Sequence, residues 1–429
     1  MVSSASPPLA DALVAASRVI ARVLDGGSLS TALAASDGVS NSGHPALRAA
    51  VQDLSYTALR EYGFVERIVA PLVTRTPTPI LRALLYAAIT ELRERPGTVH
   101  AIVDQSVVAA GRLAGMQAKG FVNAVLRRYL READRLVAEV EATEEGRWRH
   151  PQWWIDRVRR AYPDAWREVL AADNQHPPMT LRVNVRRTDR AGYLSRLQAG
   201  GIDARAVGEQ GVRLAKPVRV DIVPGFRDGL VSVQDAGAQL AAPLLDVKDG
   251  MRVLDACAAP GGKAAHLLEL ASLDLTALDT DPVRLGRVHE NFERLGLVGR
   301  ILVGDARDPA RWWDGRPYQR ALADVPCSAS GVVRRHPDIR WLRREDDLVR
   351  FGQAQTQLLD ALWQVLAPGG KLLYATCSVF AEENAAQVDG FLARRPDASR
   401  VPIEGLAAGP LVPDEDHDGF FYALLKKSD

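Results

Sequence analysis

Cysteine is scarce in this chain: Cys257, Cys327 and Cys377 are the only three among 429 residues. Their number is odd, they lie far apart, and no Cys-x-x-Cys or Cys/His ligand spacing occurs. A disulfide framework and a metal site are therefore not expected, and a reducing cytoplasm is the natural compartment. Net charge is nearly absent as well, 54 Lys and Arg against 53 Asp and Glu. No global field draws the chain to nucleic acid, so any such binding must come from local patches. An apolar run of about 18 residues, the length of a membrane span, is missing. The first residues, MVSSASPPLADAL, lack a basic region followed by an apolar core, so no signal peptide is expected. Residues 1–8 read as a disordered tail. Neither GxxxxGK[ST] nor GxGxxG occurs, which weakens the triphosphate and NAD readings.

What is present is the composition of a soluble globular protein, 47% hydrophobic and 25% charged. A chain of this length exceeds one ordinary core, so two or three domains are expected. Residues 9–142 carry apolar residues at helical spacing and no strand signal of any length, which predicts a bundle of roughly five to seven helices. PILRALLYAAITELRE, from Pro79, is apolar nearly all round and reads as its buried central helix. Ser28 to Ser42 reads as a loop or short turn. Residues 143–228 read as further helices and a small α+β subdomain, with strands in TLRVNV and GVRLAKPV and a helix from Asp189 to Ala199. Trp153, Trp154, Tyr162 and Trp166 read as packing residues. Arg182, Asn184, Arg186 and Arg187 are balanced between a solvated edge and contacts to nucleic acid. From 229 to 429, strand and helix alternate, the pattern of a doubly wound α/β Rossmann-like domain closed by a C-terminal hairpin ending in GFFYALLKK.

The chemistry gathers where the strands of this last region end. VLDACAAPGGKAAHLLEL is a strand, a glycine-containing loop and a helix, the form of a nucleoside-cofactor turn. Asp279 ends the next strand, 24 residues after Asp255, the usual place of an acid that binds ribose hydroxyls. Asp305 ends a third strand and Asp324 a fourth. One aspartate could be a helix cap; four on one rim suggest a ligand with ribose and amine groups, and S-adenosylmethionine adds a sulfonium that favours nearby carboxylates. Cys327 in DVPCS and Cys377 in YATCS end strands on the same rim, each followed by a serine. Methylating carbon 5 of a pyrimidine requires a thiolate to add at carbon 6 and a base to remove the carbon-5 proton. Two thiols and an acid near a methyl donor suit that chemistry, and the residues alone do not choose between the cysteines.

ACAAPGGK, ADVPCSASG and YATCS resemble motifs I, IV and VI of the RNA cytosine-5 methyltransferases of the Sun/Fmu type. RRHPDIRWLRR and DGFFYALL are similar to the bacterial family that modifies cytosine in small-subunit (16S) ribosomal RNA, and the helical N-terminal region is similar to the RNA-binding factor NusB. The resemblance implies a cytoplasmic monomer without metal, acting in ribosome biogenesis, with S-adenosyl-L-methionine over Cys257, Ala258, Ala259, Pro260, Gly261, Gly262 and Lys263. It implies that Asp279 holds the ribose and that Asp305 lies beside the adenine. Asp324, which also lines the cofactor, and the Pro326 carbonyl would hold the target base. Cys377 would attack, and Cys327 would help release the product. Arg334, Arg335, His336 and Arg340 would grip RNA phosphates. Val325, Ser330, Ala264 and Ala265 depart from the usual motifs without removing a reactive group. Two rivals are a transfer RNA enzyme of the same fold and a non-catalytic RNA-binding assembly factor.

Overall fold

The computed structural model describes residues 9–36, 45–405 and 409–429. The expected tail at 1–8 and the end of the expected loop at Ser28–Ser42 fall outside these. The chain forms two compact units. One is Met1–Asn174 together with Val333–Arg344; the other is Gln175–Val332 together with Glu345–Asp429.

The first unit is helical. Seven α-helices are described between Leu9 and Glu141, starting with Leu9–Leu24 and ending with Met116–Glu141. One of them, Leu29–Ala34, replaces part of the expected loop. Ser28 caps it by accepting from the Thr31 N–H at 3.2 Å, a local bond that small polar residues make readily. Pro79–Glu94 is the central helix, with Ala83 through Leu92 buried without interruption. A helix so apolar that no face can be left to water must be surrounded, and Leu9–Leu24, Pro45–Arg60 and Val99–Ala114 pack against it. Three further helices, Glu144–Trp148, Gln152–Ala161 and Trp166–Ala172, complete the span to Asn174. Trp154 is fully buried there and Trp148 meets Trp166 edge to face, so these aromatics are packing residues as expected.

The second unit carries two sheets. The smaller contains β1 (Thr180–Val183), β2 (Ala204–Val207), β3 (Gly211–Leu214) and β4 (Val231–Val233), all antiparallel in the order β2-β3-β1-β4, with a helix at Arg190–Ala199. β2 and β4 are not among the expected strands, although β1 and β3, which are, span only four residues each. The larger sheet contains β5 (Arg252–Asp255), β6 (Asp274–Asp279), β7 (Arg300–Val303), β8 (Tyr318–Asp324), β9 (Leu366–Thr376), β10 (Ala398–Val401) and β11 (Phe421–Lys427). Its order is β10-β11-β9-β8-β5-β6-β7; β9 to β7 run parallel, and β11 and β10 add antiparallel at one edge. The apolar residues of β5, β6 and β8 are buried on both faces, as a parallel sheet covered by helices requires.

Arg182, Asn184, Arg186 and Arg187 hold the two sheets' surroundings together. Arg182 is fully buried and pairs with Glu269 in a two-pronged bridge at 2.7 and 2.9 Å, while it also donates to the Gly262 carbonyl at 2.7 Å. Asn184 donates to the Gly229 carbonyl, Arg186 to the Glu269 carbonyl and Arg187 to the Leu295 carbonyl. For Arg182 and Asn184, which are buried, both balanced readings, a solvated edge and nucleic-acid contacts, are thereby corrected, whereas Arg186 and Arg187 stay exposed beside their carbonyl partners.

Candidate active site

In the larger sheet the spatial order β8-β5-β6-β7 places four strand ends side by side, and each ends at or just before an aspartate. They are Asp324, Asp255, Asp279 and Asp305. Parallel pairing aligns them: Asp255 lies opposite Ala277 and Leu322, Asp279 opposite Val303, and Asp324 opposite Ala375. The carboxyl edge of such a sheet is where α/β folds bind ligands.

The loop Cys257–Lys263 follows β5 along this rim. Gly261 has φ +97°, a left-handed conformation that a side chain would strain, and it leads directly into the helix Gly262–Leu270. The loop is held from several sides. Ala259 N–H donates to Asp279 at 3.0 Å, Arg284 donates to the Ala259 carbonyl at 2.6 Å, and Asn291 donates to the Pro260 carbonyl at 3.0 Å. Asp279 also accepts the Asp281 N–H at 3.1 Å, so each of its oxygens keeps one acceptor direction. Lys263 bridges to Asp324 at 2.5 Å. Asp305 forms a two-pronged pair with Arg307, whose hydrogen bonds hold the carboxyl below the ordinary carboxylate range. Burial beside these acids pushes the Cys257 thiol up.

Asp255 stands apart. It is buried, and neither oxygen reaches a closed hydrogen bond; the Cys257 N–H only approaches it. Burial, reinforced by the Asp324 charge, raises its pKa to about 7. An orphaned buried carboxylate is costly unless a cation or donor meets it. The polar groups on this rim, four carboxylates beside a glycine-containing loop, fit a nucleoside that carries positive charge.

The two rim cysteines face each other. Cys327 follows β8 and is 9% exposed; Cys377 follows β9 and is more open. Their sulfurs are 3.5 Å apart. The hydrogen bond with Cys377, together with burial, raises the Cys327 thiol. The turn Ser328–Gly331 is braced against the chain's last segment. The Gly419 N–H donates to the Gly331 carbonyl at 2.8 Å, and a β-carbon on Gly331 would lie 2.3 Å from the Gly419 carbonyl oxygen. This explains the small residues in both ADVPCSASG and DGFFYALL. The Pro326 carbonyl accepts from Gln355 at 3.0 Å.

The basic segment after Cys327 belongs to the helical unit. Arg340 is fully buried and donates to Asn174 Oδ1 at 2.6 Å, to the Asp173 carbonyl at 2.8 Å and to the Arg149 carbonyl at 3.1 Å. Arg334 is 2% exposed, and its carbonyl accepts from Arg60. Asp338 accepts the Leu29 N–H, and Trp341 donates to the Leu59 carbonyl. The expectation that Arg334 and Arg340 grip RNA is therefore corrected: neither guanidinium is open to solvent, because the segment is a buried strut of the bundle. Arg335 is half-buried and His336 exposed.

Three family models match the chain. They are described as 16S rRNA methyltransferase RsmB/F over residues 242–426, an RsmF/B-like ferredoxin-like domain over 150–221, and the NusB family over 13–131. A ribosomal RNA small subunit methyltransferase B from Vibrio vulnificus is 43% identical over 422 residues, covering 96% of this chain and 98% of its own. The enzyme of that name from Pseudomonas syringae pv. tomato is 42% identical over 399 residues, covering 89% of each. The chain belongs to the RsmB family of ribosomal RNA methyltransferases. Solved structures share its fold. The crystal structure of PH0851 matches at TM-score 0.82 and 25% identity over 99% of both chains. A methyltransferase homologue from Pyrococcus horikoshii matches at 0.59 and 26%, covering 66% of this chain and 96% of its own. As in this family, the chain is a methyltransferase whose methyl donor is S-adenosylmethionine. The NusB-like bundle and the Rossmann-like domain are parts expected from the sequence, and the expected small α+β subdomain matches the ferredoxin-like family model.

RsmB-family motifs announce the cysteines and the loop, whereas several neighbours carry no signal of their own. The Lys263–Asp324 bridge, the orphaned Asp255 and the support beneath Cys327 and Cys377 appear only once β5, β8 and β9 are adjacent. The serine after each cysteine was the one visible hint of that support.

Proposed function

We propose that this protein methylates carbon 5 of one cytosine in small-subunit ribosomal RNA, through a covalent bond between Cys377 and the base. The facing of two thiols at 3.5 Å, on the rim that also carries the cofactor loop, is the observation that carries this reading. A pyrimidine seated there presents carbon 6 to one sulfur while the second lies within reach of the same ring. Cys377, the more open of the two, adds to carbon 6, and the electron pair of the C5–C6 double bond makes carbon 5 nucleophilic. S-adenosylmethionine, when bound, supplies the methyl group taken up by carbon 5. The carbon-5 proton then leaves to a base, the double bond re-forms, and Cys377 departs as thiolate. Cys327 acts at this release. The Cys377 hydrogen bond and burial raise its thiol, which makes it the poorer nucleophile of the two.

Asp324 and the Pro326 carbonyl hold the base edge, Asp279 holds the ribose of the donor, and Asp305 lies beside its adenine. Asp255 and Asp324 offset the positive charge of the donor. The base must leave its stack to reach the thiols, so an exposed loop of unfolded or partly assembled RNA is the substrate. His336 and Arg335 remain the candidate backbone contacts of the basic segment. The protein acts as a cytoplasmic monomer, with its NusB-like part, residues 9–142, as the RNA-binding domain. RNA from a strain lacking the protein tests this by bisulfite mapping. One unmodified cytosine in 16S RNA, restored by wild-type and not by Cys377→Ala protein, is expected; an intact pattern in the deletion strain removes the reading.

A further inference from the structure

Beneath the thiol pair lies a buried carboxylate that the chemistry above does not use. Glu383 belongs to the short turn Ala381–Glu383 after β9 and is 0% exposed. Its hydrogen-bond donors are neutral: Ser328 N–H at 2.7 Å, Ser328 O–H at 2.5 Å, Ser378 O–H at 2.6 Å and Gln355 Nε2 at 3.3 Å. Ser328 is the residue after Cys327, and Ser378 is the residue after Cys377. One carboxylate therefore grips both cysteine turns, which come from different strands. The network extends outward from there. Ser330 and Ser378 hydroxyls are 2.9 Å apart, and Gln355 also donates to the Pro326 carbonyl. The Tyr374 hydroxyl donates to the Glu383 carbonyl at 2.7 Å.

Burial raises the Glu383 carboxyl, which the serine hydrogen bonds partly offset. A carboxylate placed in a low-dielectric site with neutral partners costs free energy that an apolar side chain of the same volume would not. What it supplies in return is geometry, since two acceptor oxygens with several lone pairs can fix two turns at once. Its charge also contributes to raising the Cys327 thiol.

We propose that Glu383 is a positioning residue for the reaction: it pins the Cys327 and Cys377 turns together, so that both sulfurs and the Pro326 carbonyl meet one base. The proposal rests on the reading that both cysteines serve the same cytosine. Glu383 touches no substrate atom itself. Its effect on rate therefore passes entirely through the placement of the sulfurs.

The experiment measures three quantities on Glu383→Ala, Glu383→Gln and the double variant Ser328→Ala/Ser378→Ala. They are S-adenosylmethionine affinity by calorimetry, the single-turnover rate of methyl transfer at saturating RNA, and the rate at which diamide joins Cys327 to Cys377. In that last reaction the two thiols are oxidised and diamide is reduced to its hydrazine, with no RNA or methyl donor present. For Glu383→Ala the donor affinity is expected within about twofold of wild type, while methyl transfer falls roughly 100-fold, the scale of an ångström's misplacement. Disulfide formation is expected to slow by about tenfold, and the Gln variant, which keeps one acceptor oxygen, to lie between. A single-turnover rate within threefold of wild type overturns the proposal. If Glu383→Ala does not fold, the serine pair decides: unchanged methyl transfer and an unchanged disulfide rate leave Glu383 as structural support only. Methyl transfer that survives Cys377→Ala would remove the covalent reading instead, and the diamide rates separate that outcome from a failure of the clamp.

Discussion

Two buried polar networks, one in each unit, use the same physics to opposite ends. In the helical unit, Arg340 donates to Asn174, Asp173 and Arg149, and Asp338 and Trp341 bond to the backbone of neighbouring helices. Burial lowers the Arg340 pKa to about 10, yet the group stays charged at neutral pH. Every bond in this network ends on a backbone group or an amide. In the catalytic unit, Glu383 gathers Ser328, Ser378 and Gln355, and those bonds end one residue away from two thiols. Ser330 extends it by donating a partner to Ser378 and accepting the Val379 N–H. Both networks leave some buried polar atoms without a hydrogen bond, Arg340 Nε and Asp338 Oδ1 in one and Gln355 Oε1 in the other, so the degree of satisfaction does not mark a functional site. What distinguishes them is the reactivity of what they hold. Asp255, buried with neither carboxylate oxygen in a closed hydrogen bond, lies in the catalytic unit beside the rim that carries the thiols.

The largest effect that would sharpen this contrast belongs to Cys377. Cys377→Ala should lower methyl transfer to small-subunit RNA by about 10⁴-fold or more, as loss of a covalent nucleophile does. Tritium transfer from labelled S-adenosylmethionine measures it, and near-normal transfer would erase the functional side of the comparison. Next is Arg340→Ala, which takes a donor from one buried and two part-buried acceptors and should cost the helical unit roughly 3 kcal/mol. Thermal melting reads that loss. The salt dependence of RNA binding should keep its slope, whereas a phosphate contact would lower the slope by about one. Such a drop would return Arg340 to the RNA surface.

Cys327→Ala should slow turnover by about 100-fold while leaving attack intact, so the protein accumulates as a covalent RNA complex. A denaturing gel shows the complex directly, and its absence would place Cys327 among the structural residues. The smallest expected effect is that of Asp255→Asn, about tenfold weaker binding of S-adenosylmethionine at pH 8. Its sign with pH follows from the raised pKa of about 7. Asp255 holds its proton below that value and is ionised above it, and a cationic ligand favours the ionised form. Affinity should therefore rise as pH increases through 7 in the wild type and stay flat in the variant. The same shift means that native Asp255 binds a proton more tightly than the unfolded chain, so its contribution to stability is greatest in acid. That contribution falls as pH rises from about 4 to 7. A cofactor affinity that is equally flat in both proteins would put Asp255 on the structural side.

The stretch Ala323–Trp341 shows where a reading by pattern succeeds and where it stops. ADVPCSASG was legible as the end of a strand and a reactive turn, because a short apolar run, an acid, a proline and a thiol sit in fixed order. RRHPDIRW was legible as basic and aromatic, and its charge suggested phosphate. Sequence carries no mark of burial for an isolated arginine, since the acceptors that satisfy Arg340 lie at Arg149, Asp173 and Asn174, more than 160 positions away. Arg182 repeats the lesson through Glu269. Two small strands also went unread: β2 and β4 become strands by pairing with β3 and β1.

By itself the amino-acid order determined the helical, small α+β and Rossmann-like parts, the glycine-containing loop after β5, the two cysteines and the four acids at or near strand ends. Those features are local: periodicity, turn chemistry and motif spacing act over a few residues. Which charges became solvent-facing, which cysteine lay open, and that Glu383 sits beneath both thiols were decided by tertiary structure. These depend on strands 50 residues apart in the chain lying side by side, so that hydrogen bonds and desolvation act between groups that are strangers in sequence.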